Sequence, residues 1–102
     1  MLERNFQAKV IKYIVRRGGY VLNVAGGTQI PKGTPDLLVC WRGRFFALEL
    51  KTDTGKTTEL QKDKICEIRK AGGYARVLRP SDWESFKKEL EDIETYDTIF
   101  IQ

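Results

Sequence analysis

The chain has 102 residues, 41% of them hydrophobic and 31% charged, with a net charge of +4. A length of this order supports one hydrophobic core, so a single domain spanning residues 1–102 is expected. No run approaches the ~20 apolar residues that cross a bilayer, and MLERNFQAKV places charges where a signal peptide needs an apolar stretch, which predicts an intracellular protein with no membrane partner.

Taken in order, Glu3 to Arg17 carries apolar residues at Phe6, Val10 and Ile14, with Ile11 and Val15 widening the stripe. This is the period of an amphipathic helix, and Gly18-Gly19 ends it. Tyr20 to Ala25 reads as a strand. Gly26 to Pro35 holds three glycines and two prolines, too many for regular structure, and reads as a loop leading into Asp36. Asp36 to Trp41 and Arg44 to Lys51 read as two strands of a hairpin turning at Arg42-Gly43. Along the second of these, Phe45, Ala47, Glu49 and Lys51 share one face, and Phe46, Leu48 and Leu50 the other, because side chains alternate.

A polar loop over Thr52 to Thr57 precedes a helix from Thr58 to about Ala71, with Leu60, Ile65 and Ile68 as its apolar contacts and Gly72-Gly73 as its stop. Tyr74 to Leu78 returns as a strand. Ser81-Asp82-Trp83-Glu84 fits a capping box opening a helix to about Leu90, and Thr98 to Ile101 is left as a short terminal strand or edge segment. The order predicts an α/β fold, a small mixed sheet flanked by helices, with a crossover between the strands at 44–51 and 74–78.

Cys40 and Cys66 lack the close spacing of a zinc or redox pair and read as two small buried thiols. The absence of histidine removes Ser-His-Asp catalysis, histidine-dependent nuclease chemistry and most zinc hydrolase sites. Charge is uneven: residues 1–79 hold 16 basic and 7 acidic side chains, a net of +9, whereas residues 80–102 hold 2 and 7, a net of −5. A basic body favours a polyanion such as nucleic acid, with the acidic segment turned away from it or packed on the body.

The residues with chemistry to offer converge on the hairpin. Pairing about Arg42-Gly43 opposes positions whose numbers sum to 85 or 86, so Asp36 lies across from Glu49 or Leu50 and the two acids meet at one end of the sheet. Paired carboxylates are hard oxygen donors for an ion such as Mg²⁺, to which the Leu50 carbonyl adds another oxygen. Lys51, on the same face as Glu49, is placed to orient or acidify a water and to meet developing negative charge. Gln61 has two readings. Thr58-Glu59-Leu60-Gln61 is a capping box, and Gln61, Ile65 and Ile68 at i, i+4 and i+7 also put Gln61 on the stripe facing the sheet.

Pro35-Asp36 followed by Glu49-Leu50-Lys51 resembles the PD-(D/E)XK nuclease superfamily. Gly33-Thr34-Pro35-Asp36, Leu48-Glu49-Leu50-Lys51 and the downstream Gln61 more closely resemble the virus-type replication-repair nuclease (VRR-NUC) family, from the first helix to about Arg79. The resemblance implies that Asp36 and Glu49 hold Mg²⁺ or Mn²⁺, Lys51 assists the nucleophile, Gln61 supports the site, and Glu3 contributes an acid from the first helix. It also implies a DNA endonuclease acting as a homodimer on branched DNA such as four-way (Holliday) junctions, without a small-molecule cofactor, in the cytoplasm of a bacterium or of a phage-infected host. Flapped, nicked or single-stranded DNA, a noncatalytic nucleic-acid-binding module and a small protein-interaction domain stand as alternatives. For substrate contact, Thr28, Gln29 and Lys32 in the glycine-rich loop and Lys56 and Thr57 after Lys51 are the candidates. Tyr20, Trp41 and Tyr74 have apolar flanks, for which core packing is expected in preference to base stacking.

Overall fold

The computed structural model describes residues 3–100. Its elements are α1 (Glu3–Arg16), β1 (Tyr20–Asn23), β2 (Leu37–Trp41), β3 (Arg44–Leu50), α2 (Glu59–Lys70), β4 (Tyr74–Leu78), a 3₁₀ turn (Pro80–Asp82) and α3 (Trp83–Phe100). The strands form one sheet in the order β1-β2-β3-β4; β1, β2 and β3 are antiparallel, and β4 is parallel to β3. The connection between β3 and β4 carries α2, as a parallel pair requires. The fold is thus the mixed α/β sheet with flanking helices that the sequence predicts.

Strand alternation divides the interior. On one face Leu37, Val39, Trp41, Phe46, Leu48, Leu50 and Leu78 pack against Phe6, Val10 and Ile14 of α1 and Trp83, Phe86 and Leu90 of α3. The other face is smaller: Ala47 and Ala75 meet Ile65 of α2, with Leu38, Ile68 and Val77 around them. The alanines let the helix approach the β3–β4 half, and α2 leaves the β1 side of this face open. Tyr20, Cys40 and Phe45 lie in one row across it, paired in register, with Tyr20 67% and Phe45 47% exposed.

The hairpin turn between β2 and β3 is tight. Arg42 (φ 50°) and Gly43 (φ 78°) are both left-handed, the signature of a type I′ turn, whose twist suits paired strands. Arg42 is a non-glycine in this region, and its guanidinium is tied down by the Arg17 carbonyl at 2.6 Å, by Glu94 at 2.8 Å and by the face of Trp41 at 4.3 Å.

Several expectations are corrected. Thr98–Phe100 continue α3 and do not form a strand; Ile101 lies outside the described residues. No Gly or Pro interrupts the chain after Leu90, and Trp83, Phe86, Leu90 and Ile93 keep one helical stripe against the core. Ser81 does not cap α3: its N–H donates to Asp53 at 3.0 Å, and Asp82 instead accepts from the Arg79 N–H at 2.9 Å as the 3₁₀ turn leads into the helix. Cys40 and Cys66 are exposed, Cys40 on the open row of the sheet and Cys66 on the outer side of α2. Val15 and Leu60 are also exposed, the first past the edge of the α1 stripe. Strand β1 ends at Asn23, whose side chain accepts the Ala25 N–H at 3.1 Å and turns the chain. Among the described residues no helix is long and apolar enough to cross a membrane.

Candidate active site

Register places the acids. Leu37 pairs with Leu48, so one step further Asp36 stands opposite Glu49, and Glu49 is in turn beside Val77 of β4. Asp36 is fixed at its backbone, whose carbonyl accepts the Val24 N–H at 2.9 Å, and at its side chain, whose Oδ2 accepts the Leu50 N–H at 2.9 Å. A strand residue turns its N–H and C=O to the same side, so the Leu50 carbonyl also faces the Asp36 end of β2.

Glu49 is a charged residue within the core, 3% exposed. Its Oε2 receives a hydrogen bond from Gln61 Nε2 at 3.1 Å and lies 3.7 Å from Lys51 Nζ. Burial first, and then the neighbouring Asp36 charge, push its carboxyl up to about 7, with Glu3 adding to the rise and Lys51 opposing it. Asp36 is also raised, chiefly by burial, against the pull of the Leu50 N–H and Lys51. The interaction between the two carboxyls lowers Asp36 and raises Glu49, so of the pair Glu49 is the one favoured to hold a proton.

This donor set suits a divalent cation. When both carboxylates are ionised, two negative charges face one ammonium in a desolvated corner, and a hard cation in place of the proton would relieve them. Among the described residues no group of three or more His, Cys, Asp or Glu gathers to hold a metal. A Mg²⁺ site of one or two carboxylates completed by carbonyl, water and phosphate oxygens is a common form.

Gln61 fills both roles its sequence left open. Its backbone N–H donates to Thr58 Oγ1 at 3.1 Å and its Oε1 accepts the Thr58 N–H at 2.9 Å, closing the capping box, while its Nε2 reaches Glu49. The start of α2 is held down by Gly33. This residue has φ +87°, and a Cβ there would sit 2.8 Å from the Leu60 carbonyl oxygen, so the loop before Asp36 and the helix carrying Gln61 touch backbone to backbone.

Glu3, exposed in the first turn of α1, acts on Glu49 through its charge. Thr28 and Gln29 line a shallow recess of about 320 Å³ with Asn23, Val24 and Ile30; Lys32 and Lys56 are exposed. Trp41 is core, its indole N–H donating to the Leu90 carbonyl at 3.1 Å, and Tyr74 is half-buried with its hydroxyl on Glu89 at 2.6 Å, but Tyr20 is exposed, contrary to expectation, because no helix covers β1 on that side.

Sequence reading missed Arg79. Its Nη1 donates to the carbonyls of Thr52 at 2.6 Å and Gly55 at 2.7 Å, bolting the loop after Lys51 to the end of β4. The Lys51 N–H donates to the Leu78 carbonyl at 3.1 Å, so Lys51 is held by the same strand end. Nothing in local spacing links residues so far apart.

The α/β fold has a likeness among solved structures. The chain is similar to Hjc, a Holliday junction resolvase from the archaeal hyperthermophile Archaeoglobus fulgidus, with a TM-score of 0.56 and 20% identity over 74% of this chain and 67% of that one. At that identity the likeness is one of fold. No family model and no curated protein matches the sequence.

Proposed function

We propose that the chain is a metal-dependent DNA endonuclease of the VRR-NUC type, selective for branched DNA such as four-way junctions and working as a homodimer. The observation that carries this reading is the convergence of Asp36, Glu49, Lys51 and Gln61 at one end of a resolvase-like sheet.

Asp36, Glu49 and the Leu50 carbonyl are the oxygens that would hold Mg²⁺ or Mn²⁺, which when bound offsets charge on the phosphoryl oxygens and makes a water acidic enough to attack. Lys51 sets its ammonium where it can orient that water and meet the charge that develops on phosphorus-bound oxygen. Gln61 fixes the rotamer of Glu49 so that its carboxylate faces Asp36. Glu3 contributes a further negative charge at the rim. Thr28, Gln29 and Lys32 on one side and Lys56 on the other are the groups proposed to receive the backbone of the substrate.

Cutting two strands symmetrically needs two such centres, and a twofold dimer supplies them. The exposed row of Tyr20 and Phe45, with Leu22 beside it, supports self-association, since monomers seldom leave contiguous apolar surface in water. The substrate preference is tested by incubating the protein with labelled junction, flapped, nicked, single-stranded and linear duplex DNA in Mg²⁺, Mn²⁺ or EDTA. Paired cuts in the junction that require metal support the reading. Cleavage confined to flaps or single strands replaces its substrate, and tight binding with no cleavage in either metal replaces it with a noncatalytic binding module.

A further inference from the structure

A cavity of about 650 Å³ lies in a groove between α2 and the outer edge of β4. It is lined by Thr57, Lys62, Arg69, Tyr74 and Arg76 over a floor of Ile65 and Val77. Lys62, Ile65 and Arg69 recur at i, i+3 and i+7, so they lie along one side of the helix.

The outer edge of β4 is an end of the sheet, and its outward carbonyls are already taken. Arg69 Nε donates to Ala75 O at 2.8 Å and Arg76 Nε to Val77 O at 2.9 Å. An added peptide strand would need those carbonyls, so the arginines close the edge to β-pairing. The same bonds fix the two guanidiniums along the groove with their terminal nitrogens beyond the strand. Arg76 shares one of these with Asp82 at 3.1 Å; Arg69 has no acidic partner among the described residues. The Lys62 partner is the exposed Glu59 on its own helix at 3.2 Å, a pair of the kind that solvent competes for readily.

The groove also joins the site. Val77 on its floor is the register partner of Glu49, and Thr57 on its wall directly precedes Thr58, the cap of the helix that carries Gln61. A row of cations, two of them fixed to backbone carbonyls, beside the register partner of a site carboxylate matches a phosphate backbone.

We infer that this groove seats the phosphate backbone of a DNA strand as it leaves the carboxylate site, with Lys62, Arg69 and Arg76 as the phosphate contacts. The inference rests on the nuclease reading for its substrate but makes a separate claim about where that substrate lies.

The test measures binding of a labelled four-way junction in EDTA by fluorescence anisotropy across a salt series, alongside Mg²⁺-dependent cleavage. Lys62→Glu changes an exposed side chain, and Arg69→Gln removes charge while keeping a donor for the Ala75 carbonyl. Lys12→Glu on α1, outside the groove, matches the charge change of Lys62→Glu. Lys62→Glu is expected to weaken binding about tenfold or more at moderate salt, and Arg69→Gln to lower the salt slope by about one unit, while Lys12→Glu changes binding less than about twofold. Binding unchanged in both groove variants, or weakened equally by Lys12→Glu, overturns the inference even if the wild type cuts DNA normally. Groove-dependent binding by a wild type that never cuts would support the seat and refute the nuclease reading.

Discussion

Glu49 is the side chain with most at stake in the ionisation of the site. Its carboxyl is held at about 7, far above the value of 4.5 in an open chain, so between those limits the folded protein binds more protons than the unfolded one. The raised group stabilises the fold fully below its unfolded value, and that contribution is lost as pH rises through the folded value. Asp36 is shifted the same way. The metal-free protein is therefore expected to melt several degrees lower at pH 8 than at pH 5, and Glu49→Gln to flatten the difference and raise the pH 8 melting temperature. Thermal melts in EDTA across this range check it; a melting temperature that rises from pH 5 to pH 8 would contradict the assignment. Mg²⁺ competes with that proton, so it should raise the melting temperature more at pH 8 than at pH 5, readable in the same scans.

At the scale of elements, the site depends on contacts between α2 and the loop ahead of β2. Gly33→Ala places a Cβ against the Leu60 backbone at a left-handed φ, and is expected to cost about 1–3 kcal/mol of stability and to lower cleavage further by shifting Gln61 away from Glu49. Denaturant titration and cleavage rates measure the two effects separately. Gln61→Glu tells the two roles of that residue apart. A glutamate preserves the capping-box acceptor but sets a third carboxylate against Glu49, so stability in acid should stay near wild type while cleavage at neutral pH falls about tenfold or more.

Much of this architecture was legible because it follows from local periodicity. The helical stripe at Phe6, Val10 and Ile14, the alternation over residues 44–50 and the Arg42-Gly43 turn are short-range signals, and the turn alone sets the register that brings Asp36 to Glu49. Thr98–Phe100 were misread because Thr98 and Ile99 are β-branched and favour strand locally, whereas the stripe from Trp83 to Ile93 carries the helix through. Exposure of Tyr20 and Cys40 was illegible for a tertiary reason: a strand pattern does not say how far a helix on the far side of the sheet reaches. Arg79 was illegible because its partners, the Thr52 and Gly55 carbonyls, are backbone atoms and leave no mark in the sequence.

For the molecule as a whole, charge and exposed surface set the expectations. The acidic C-terminal segment packs on the basic body: Glu91 faces Tyr13 at 3.3 Å, Glu94 meets Arg42 at 2.8 Å and Asp82 meets Arg76 at 3.1 Å. On the α2 side of the sheet, Lys62, Arg69 and Arg76 line the groove along β4. In the proposed dimer the uncovered row on β1, β2 and β3 would form the contact, so Phe45→Asp combined with Tyr20→Asp is expected to shift a dimer to a monomer in sedimentation velocity at micromolar concentration. A wild type that sediments as a monomer there would contradict the dimer.

The most direct measurement of the central claim is single-turnover cleavage of a labelled four-way junction by wild type, Asp36→Asn and Lys51→Ala in Mg²⁺, with an EDTA control. Wild type should cut and EDTA should abolish cutting, and each variant should be slowed by roughly 10²-fold or more while keeping the wild-type fold by circular dichroism. Cleavage at wild-type rates by both variants, or no cleavage of any DNA by the wild type in Mg²⁺ or Mn²⁺, would contradict it.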